Sequence, residues 1–261
     1  MKLYHGWLSS ASRRVRLCLA EKGLPYESIP IDMGRQEHHS PGYLAMNPNG
    51  VVPALRLDNG ESLYESSTIC EYLDDLHPAP PLRPADPYQR AVMRNFVRWT
   101  DEKSLPHLLI LNWSIALQPG ASQWTDAQLQ ERLGRVPTPE RREAWLRIAR
   151  KPYTDEEKAA ALDKLLALVD KMEAMLLQPG SEWLAGGRYS LADIAAVPFV
   201  ARIAELAPQA LSDTRCPRVT DWWQRVQQRP AYALARIERF DAALRERDNA
   251  ASSPAPAREG S

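Results

Sequence analysis

Between residues 78 and 87 the chain carries Pro78, Pro80, Pro81, Pro84 and Pro87. Proline fixes φ and donates no backbone hydrogen bond, so this stretch is a stiff linker that no regular element crosses. The pattern changes on either side of it. Before residue 77 short apolar runs alternate with turn signals; after it, long amphipathic stretches dominate. The expected organisation is therefore a first domain over 1–77, a linker over 78–87, a helical domain over 88–245 and a tail over 246–261.

In the first part Lys2-Leu3-Tyr4-His5 is the expected first strand. Ser12 to Lys22 reads as a helix closed by Gly23. Tyr26 to Ile31 is a second strand and Ala54 to Leu57 a third. Asp58-Asn59-Gly60 is a strong hairpin signal leading to a fourth strand, Ser62-Leu63-Tyr64. Ser66 to His77 then has Ile69, Tyr72, Leu73 and Leu76 at helical spacing. The hairpin forces one antiparallel pair, so the sheet is mixed and flanked by helices.

Beyond the linker, Tyr88 to Asn112 reads as one long helix with a break near Pro106. Thr154 to Leu177 opens on the capping box Thr154-x-x-Glu157, and Ser190-Leu191-Ala192-Asp193 starts another helix in the same way. Arg218 to Arg229 and Ala231 to Arg245 complete the helical domain. The tail from Glu246 to Ser261 is rich in Ala, Ser and Pro, has nothing to bury, and reads as disordered.

Composition narrows the function classes. The 33 basic and 33 acidic residues cancel, which removes the electrostatic case for a nucleic-acid or anionic-membrane partner. No run approaches the ~18 apolar residues of a membrane span, and the start lacks a secretory signal, so a cytoplasmic location is expected. Three scattered cysteines, Cys18, Cys70 and Cys216, make neither a disulfide framework nor a zinc site and read as small core residues. No metal-binding histidine pattern is present among the five histidines, and no phosphate-cradling glycine pattern occurs.

Three segments of the first part carry chemistry. Ser9-Ser10-Ala11-Ser12 precedes Arg13-Arg14-Val15 at a helix start, where free N–H groups and the helix dipole favour negative charge; a plain N-cap by Ser12 is the alternative. Asn47-Pro48-Asn49-Gly50-Val51-Val52-Pro53 leads into a strand, where a cis Val52–Pro53 bond presents the Val52 backbone to an extended ligand; a simple proline turn is the alternative. In Tyr64-Glu65-Ser66-Ser67-Thr68 a carboxylate followed by hydroxyls suits a zwitterion. Glu65 meets the ammonium, while Ser66 and the helix N-terminus meet the carboxylate. Here too a plain N-cap is the alternative.

Taken in this order, these segments resemble the thioredoxin-like domain of glutathione transferases, and the chain to about residue 245 is similar to that family's plan. Glu21-Lys22-Gly23-Leu24-Pro25-Tyr26, Glu65-Ser66 before Ile69-x-Glu71-Tyr72-Leu73, and Ser190-Leu191-Ala192-Asp193 carry the likeness further. Leu82 to Ala91, Trp99-Thr100-Asp101-Glu102, and Pro137 to Glu140 with Trp145 resemble the bacterial β-etherase-type members. The serine loop is closer to theta and zeta patterns. Ala11 stands where the zeta pattern has cysteine, which argues against a maleylacetoacetate-isomerase reading.

The resemblance implies a fold of class α/β plus all-α, a thioredoxin-like domain followed by a helical bundle. It implies glutathione as co-substrate, a hydrophobic electrophile as second substrate, and a homodimer. A loop serine then activates the glutathione thiol, with Ser9 ranked before Ser10 and Ser12. His38 or His39 reaches the glycine carboxylate; Val52 and Pro53, with Glu65 and Ser66, hold the rest. Trp113, Trp124 and Trp145 wall an electrophile pocket, with the proline-broken segment 104–153 folding over its mouth; packing of the bundle is the other reading of these tryptophans. The expected reaction is glutathione conjugation to an aromatic electrophile, with β-aryl ether cleavage, dehalogenation or a non-catalytic binding module as alternatives.

Overall fold

The computed structural model describes residues 1–240. The expected tail over 246–261, and the expected helix beyond residue 240, lie outside the described residues. Strand β1 (Lys2–His5) leads to α1 (Ser10–Lys22), β2 (Glu27–Pro30), a 3-10 turn (Glu37–His39) and the short α2 (Pro41–Leu44). Then come β3 (Ala54–Arg56), β4 (Ser62–Tyr64) and α3 (Ser66–Leu76). The sheet order is β2-β1-β3-β4. β1 runs parallel to β2 and antiparallel to β3, and β3 is antiparallel to β4. The mixed sheet follows from the hairpin: Leu57 N–H donates to the Glu61 carbonyl across Asp58-Asn59-Gly60, with Gly60 at φ 87°.

Helix α1 begins at Ser10, not Ser12, because Ser9 is its cap: the Ser9 side chain accepts the Ser12 N–H. Gly23 closes it in the left-handed conformation at φ 62°. Leu3, Leu55, Val15, Leu19, Ile69 and Leu73 are buried between sheet and helices.

The linker is pinned rather than loose. The buried Lys22 ammonium pairs with Asp74 and donates to the carbonyls of His77 and Pro80 at 2.6 Å each. Asp74 also accepts from the Leu82 N–H at 2.8 Å and Arg83 Nε at 2.6 Å. Burial opposes the Asp74 charge, but these hydrogen bonds hold its carboxyl below the usual range.

The helical part comprises α4 (Pro87–Trp99), a π turn (Thr100–Ser104), α5 (Leu105–Ala116), α6 (Gln118–Ala121) and α7 (Asp126–Gly134). It continues with α8 (Pro139–Arg150), α9 (Asp155–Leu176), α10 (Leu191–Leu206), α11 (Pro217–Gln228) and α12 (Pro230–Leu234). The expected break at Pro106 takes the form of the π turn before it. Pro106 has no N–H for the Glu102 carbonyl and its ring would crowd it; the wider turn, with Leu105 N–H bonded to the Thr100 carbonyl, avoids both. Capping boxes at Thr154/Glu157 and Ser190/Asp193 start α9 and α10 as their spacing requires. The helix expected from Ala231 ends at Leu234, and Arg236 takes φ 50°. Cys18, Cys70 and Cys216 are buried free thiols. Among the described residues no helix is long and apolar enough to cross a membrane.

Candidate active site

A cleft of about 1010 Å³ lies between the sheet's loops and the helical part. Its floor is the turn from β1 into α1. Ser9 and Ser10 line the cleft; Ser12 does not. Because α1 starts at Ser10, Ser12 is turned inward, fully buried, and its Oγ accepts the Gly6 N–H at 3.2 Å. Of the three candidate serines, Ser12 is thus the one that this geometry keeps out of the cleft. Ser9 Oγ accepts the Ser12 N–H at 3.2 Å, which leaves its own proton for an acceptor in the cleft.

Two buried arginines fix this turn. Arg13 donates to the Trp7 carbonyl at 3.3 Å and the Glu238 carbonyl at 2.7 Å. Arg16 donates to the carbonyls of Trp7 and Ala235 at 3.3 and 3.0 Å, and its guanidinium lies 4.7 Å from the centre of the Trp7 ring. Burial, with Arg13 alongside, pulls the Arg16 pKa down to about 9.

The second segment presents backbone. Val52–Pro53 is cis. The preceding Val51 carbonyl accepts from Tyr43 Oη and Asn47 Nδ2, both at 2.7 Å. Gly50 sits at φ 58°, where a Cβ would lie 2.9 Å from Pro137 and 3.0 Å from His39. Only glycine fits that approach.

Glu65 is an exposed, non-glycine residue held at φ 65°, strain of the kind that functional sites store. Asn49 Nδ2 donates to its Oε1 at 3.2 Å. Ser66 opens α3, is buried, and its Oγ accepts from Arg14 at 3.1 Å. The other end of that buried guanidinium meets Asp101 at 2.8 Å. Asp101, on the π turn, lines the cleft beside Glu65 and Ser66.

His38 and His39 line the cleft, but they are 3% and 2% exposed rather than solvated. Burial, with His39 and Arg141 close by, pushes His38 down to about 3. Burial also outweighs a hydrogen bond to the Gly50 backbone and takes His39 to about 4. Burial thus disfavours the charged form of both imidazoles. The sequence reading has one of them reach the glycine carboxylate of glutathione, which a neutral imidazole does as an N–H donor without bringing a charge.

Of the tryptophans, Trp113 and Trp145 line the cleft. Trp124 does not: it stacks behind Trp145, with ring centres 5.6 Å apart, under Arg132. Together with Leu117, Leu129, Val136 and Ile148 these rings form a small core separate from the main one. Sequence reasoning missed Asp101, Arg141, Glu238 and Phe240 as cleft residues. Each comes from an element remote in sequence from the strand loops, and no local pattern marks it.

The glutathione S-transferase N-terminal domain model matches residues 8–76, and the C-terminal domain model matches 139–230. Protein LigF of Sphingobium sp. is 32% identical over 237 residues, covering 88% of this chain and 91% of that protein. The chain belongs to the glutathione S-transferase family. The crystal structure of beta-etherase LigF superposes with a TM-score of 0.80 at 31% identity, covering 90% of this chain and 97% of that one. The holo structure of a zeta-class maleyl pyruvate isomerase gives 0.67 at 26% identity, covering 91% and 98%. A maleylacetoacetate isomerase of Pseudomonas aeruginosa is 50% identical, but over 93 residues only, 35% of this chain and 44% of that protein.

As a family member the chain is a glutathione-dependent transferase, and its cleft fits that co-substrate. Glutathione is an extended peptide with a zwitterionic γ-glutamyl end; the cleft offers the Val52 backbone, a strained carboxylate, and hydroxyls at two helix N-termini. Glutathione supplies the nucleophilic thiolate. The protein supplies orientation and stabilisation of its negative charge.

Proposed function

We propose that this transferase turns the glutathione thiolate on a bulky aromatic electrophile, and that cleavage of a β-aryl ether is its reaction class. The observation that carries the reading is the apolar wall of α5 and its C-terminal end, Leu105, Leu109, Trp113, Ala116 and Leu117, in the same cleft as Ser9. The similarity to LigF along nearly the whole of both chains supports the choice of ether. Ser9 donates a hydrogen bond to the thiolate, helped by the free N–H groups at the start of α1, and so favours the charged form of a thiol whose ordinary pKa is near ~8.5. Val52 pairs with the peptide backbone. Glu65 meets the ammonium, and Ser66 with the N-terminus of α3 meets the γ-glutamyl carboxylate. The sulfur forms a bond to the ether carbon, the C–O bond breaks, and the aryloxide leaves to be protonated as a phenol.

In this reading residues 1–77 hold glutathione and residues 88–245 hold the second substrate. A cytoplasmic homodimer is the assembly we propose; the exposed Tyr64, Leu76 and Tyr88 supply apolar surface for it. Glutathione-dependent release of a phenol from a β-aryl ether tests the reaction class. Conjugation of a generic aryl halide without phenol release from any ether in a panel points to plain transfer, and glutathione retention without turnover points to a binding module.

A further inference from the structure

Glutathione, the co-substrate on which this inference rests, carries two carboxylates. The γ-glutamyl one has Ser66 and the N-terminus of α3. For the glycyl one, at the other end of the peptide, His38 and His39 are poor counter-ions, because burial disfavours their charged forms. Two arginines line the cleft, Arg35 and Arg141. Arg35 is 74% exposed and lies 3.6 Å from Asp32. An exposed, already paired side chain contributes little to holding a carboxylate.

Arg141 differs in each respect. It is half-buried on the first turn of α8 and forms no ion pair among the described residues. One turn along the same face stands Trp145, with its ring centre 6.3 Å from that of His38 and of His39. Just before α8, Pro137 packs against Gly50. Residues 137–145 are thus seated on the His38–His39 and Gly50 turns. Glu65 is the acidic group that draws on Arg141, and burial destabilises its charge. A half-buried guanidinium without an ion-pair partner gains more from an incoming carboxylate than an exposed, paired one.

We propose that Arg141 binds the glycyl carboxylate of glutathione, so that the counter-charge comes from the helical segment and not from the histidine turn. Glutathione then bridges the two sides of the cleft, and its binding fastens the tryptophan wall over the thiol.

The test compares glutathione with its glycyl monoethyl ester, in which a neutral ethyl ester replaces that carboxylate. Wild type prefers the free carboxylate on the order of tenfold to a hundredfold in Kd, the loss expected for one charge-assisted hydrogen-bonding contact. Arg141→Gln abolishes the preference: it weakens glutathione by that factor and leaves ester binding as in wild type. Arg141→Lys retains part of the preference and gives a second reading should the Gln variant fold poorly. Equal affinity of wild type for both ligands overturns the assignment while leaving the glutathione reading intact. So does an equal weakening of both ligands in the Lys variant, or an unchanged glutathione Kd in the Gln variant. Failure of wild type to bind glutathione at all overturns the glutathione reading itself.

Discussion

The two sides of the cleft are held by different forces. On the strand side, geometry is set by hydrogen bonds between side chains and backbone groups: the Ser9 cap, the doubly bonded Val51 carbonyl, and the Arg13 guanidinium on the carbonyls of Trp7 and Glu238. On the helical side, residues 113–150 rest on side-chain packing around Trp145, whose ring lies 5.3 Å from Trp113 and 5.6 Å from Trp124. A site whose backbone is held by directional hydrogen bonds from interior side chains keeps its shape when surface side chains change, and suits a ligand that never varies. A packed wall changes shape with each substitution, and suits a second substrate that differs among relatives. On the proposed reading the strand side carries most of glutathione recognition and the helical side the choice of electrophile, with Arg141 the one contact to glutathione from the helical side.

The largest effect is expected at the packed wall. Trp145→Ala removes the centre of its small core at a cost of roughly 3–5 kcal/mol. Amide hydrogen exchange then accelerates over 113–150 while β1, β3 and α1 keep their protection; uniform acceleration would erase the distinction between the two sides. Next comes acid. His5, His38 and His39 are pushed down to about 3, 3 and 4, chiefly by burial. The unfolded chain therefore binds more protons below pH ~6.5, and stability is lost as pH falls from there towards 4, by up to ~1.4 kcal/mol per pH unit for each histidine. His39→Gln should flatten that slope in denaturant titrations at pH 4.5, 5.5 and 6.5. An unchanged slope contradicts the burial argument.

Smaller still is Glu65→Ala, which removes one charge-assisted contact and weakens glutathione binding about tenfold with little change in the KM of the electrophile. Trp113→Ala does the reverse, raising the electrophile KM severalfold, as expected for loss of one partly buried aromatic face, and sparing glutathione. Initial rates with each substrate varied in turn check both. If the two variants moved the same constant, the division of labour would fail.

The sheet was legible because its signals are local. Asn59-Gly60 demands a hairpin, Gly23 a helix end, and the capping boxes at Thr154 and Ser190 a helix start. The strand-side cleft residues share that locality, since they fall in three short segments. What escaped depended on burial and on distance along the chain. That Ser9, not Ser12, caps α1 turns on which hydroxyl meets which N–H, and the Ser-Ser-Ala-Ser run permits either. That His38 and His39 are buried, with their charged forms disfavoured, depends on α8 covering them from a hundred residues away. Trp124 and Trp145 look alike in sequence; only packing places one behind the other.

The central claim is that Ser9 stabilises the glutathione thiolate from the strand side. The most direct measurement is the pKa of the bound thiol, followed by the ultraviolet absorbance of the thiolate in wild type, Ser9→Ala and Ser12→Ala. The wild-type value should lie below the ~8.5 of a free thiol. Ser9→Ala should return it towards that value and cut turnover at pH 7 by about a hundredfold, the scale of losing one hydrogen-bond donor to a reacting anion, with a smaller loss at pH 9. Ser12→Ala, which loses only a buried bond to Gly6, should lower stability by about 1 kcal/mol and leave the thiol pKa alone. A thiol pKa that rises in Ser12→Ala and stays put in Ser9→Ala would contradict the account.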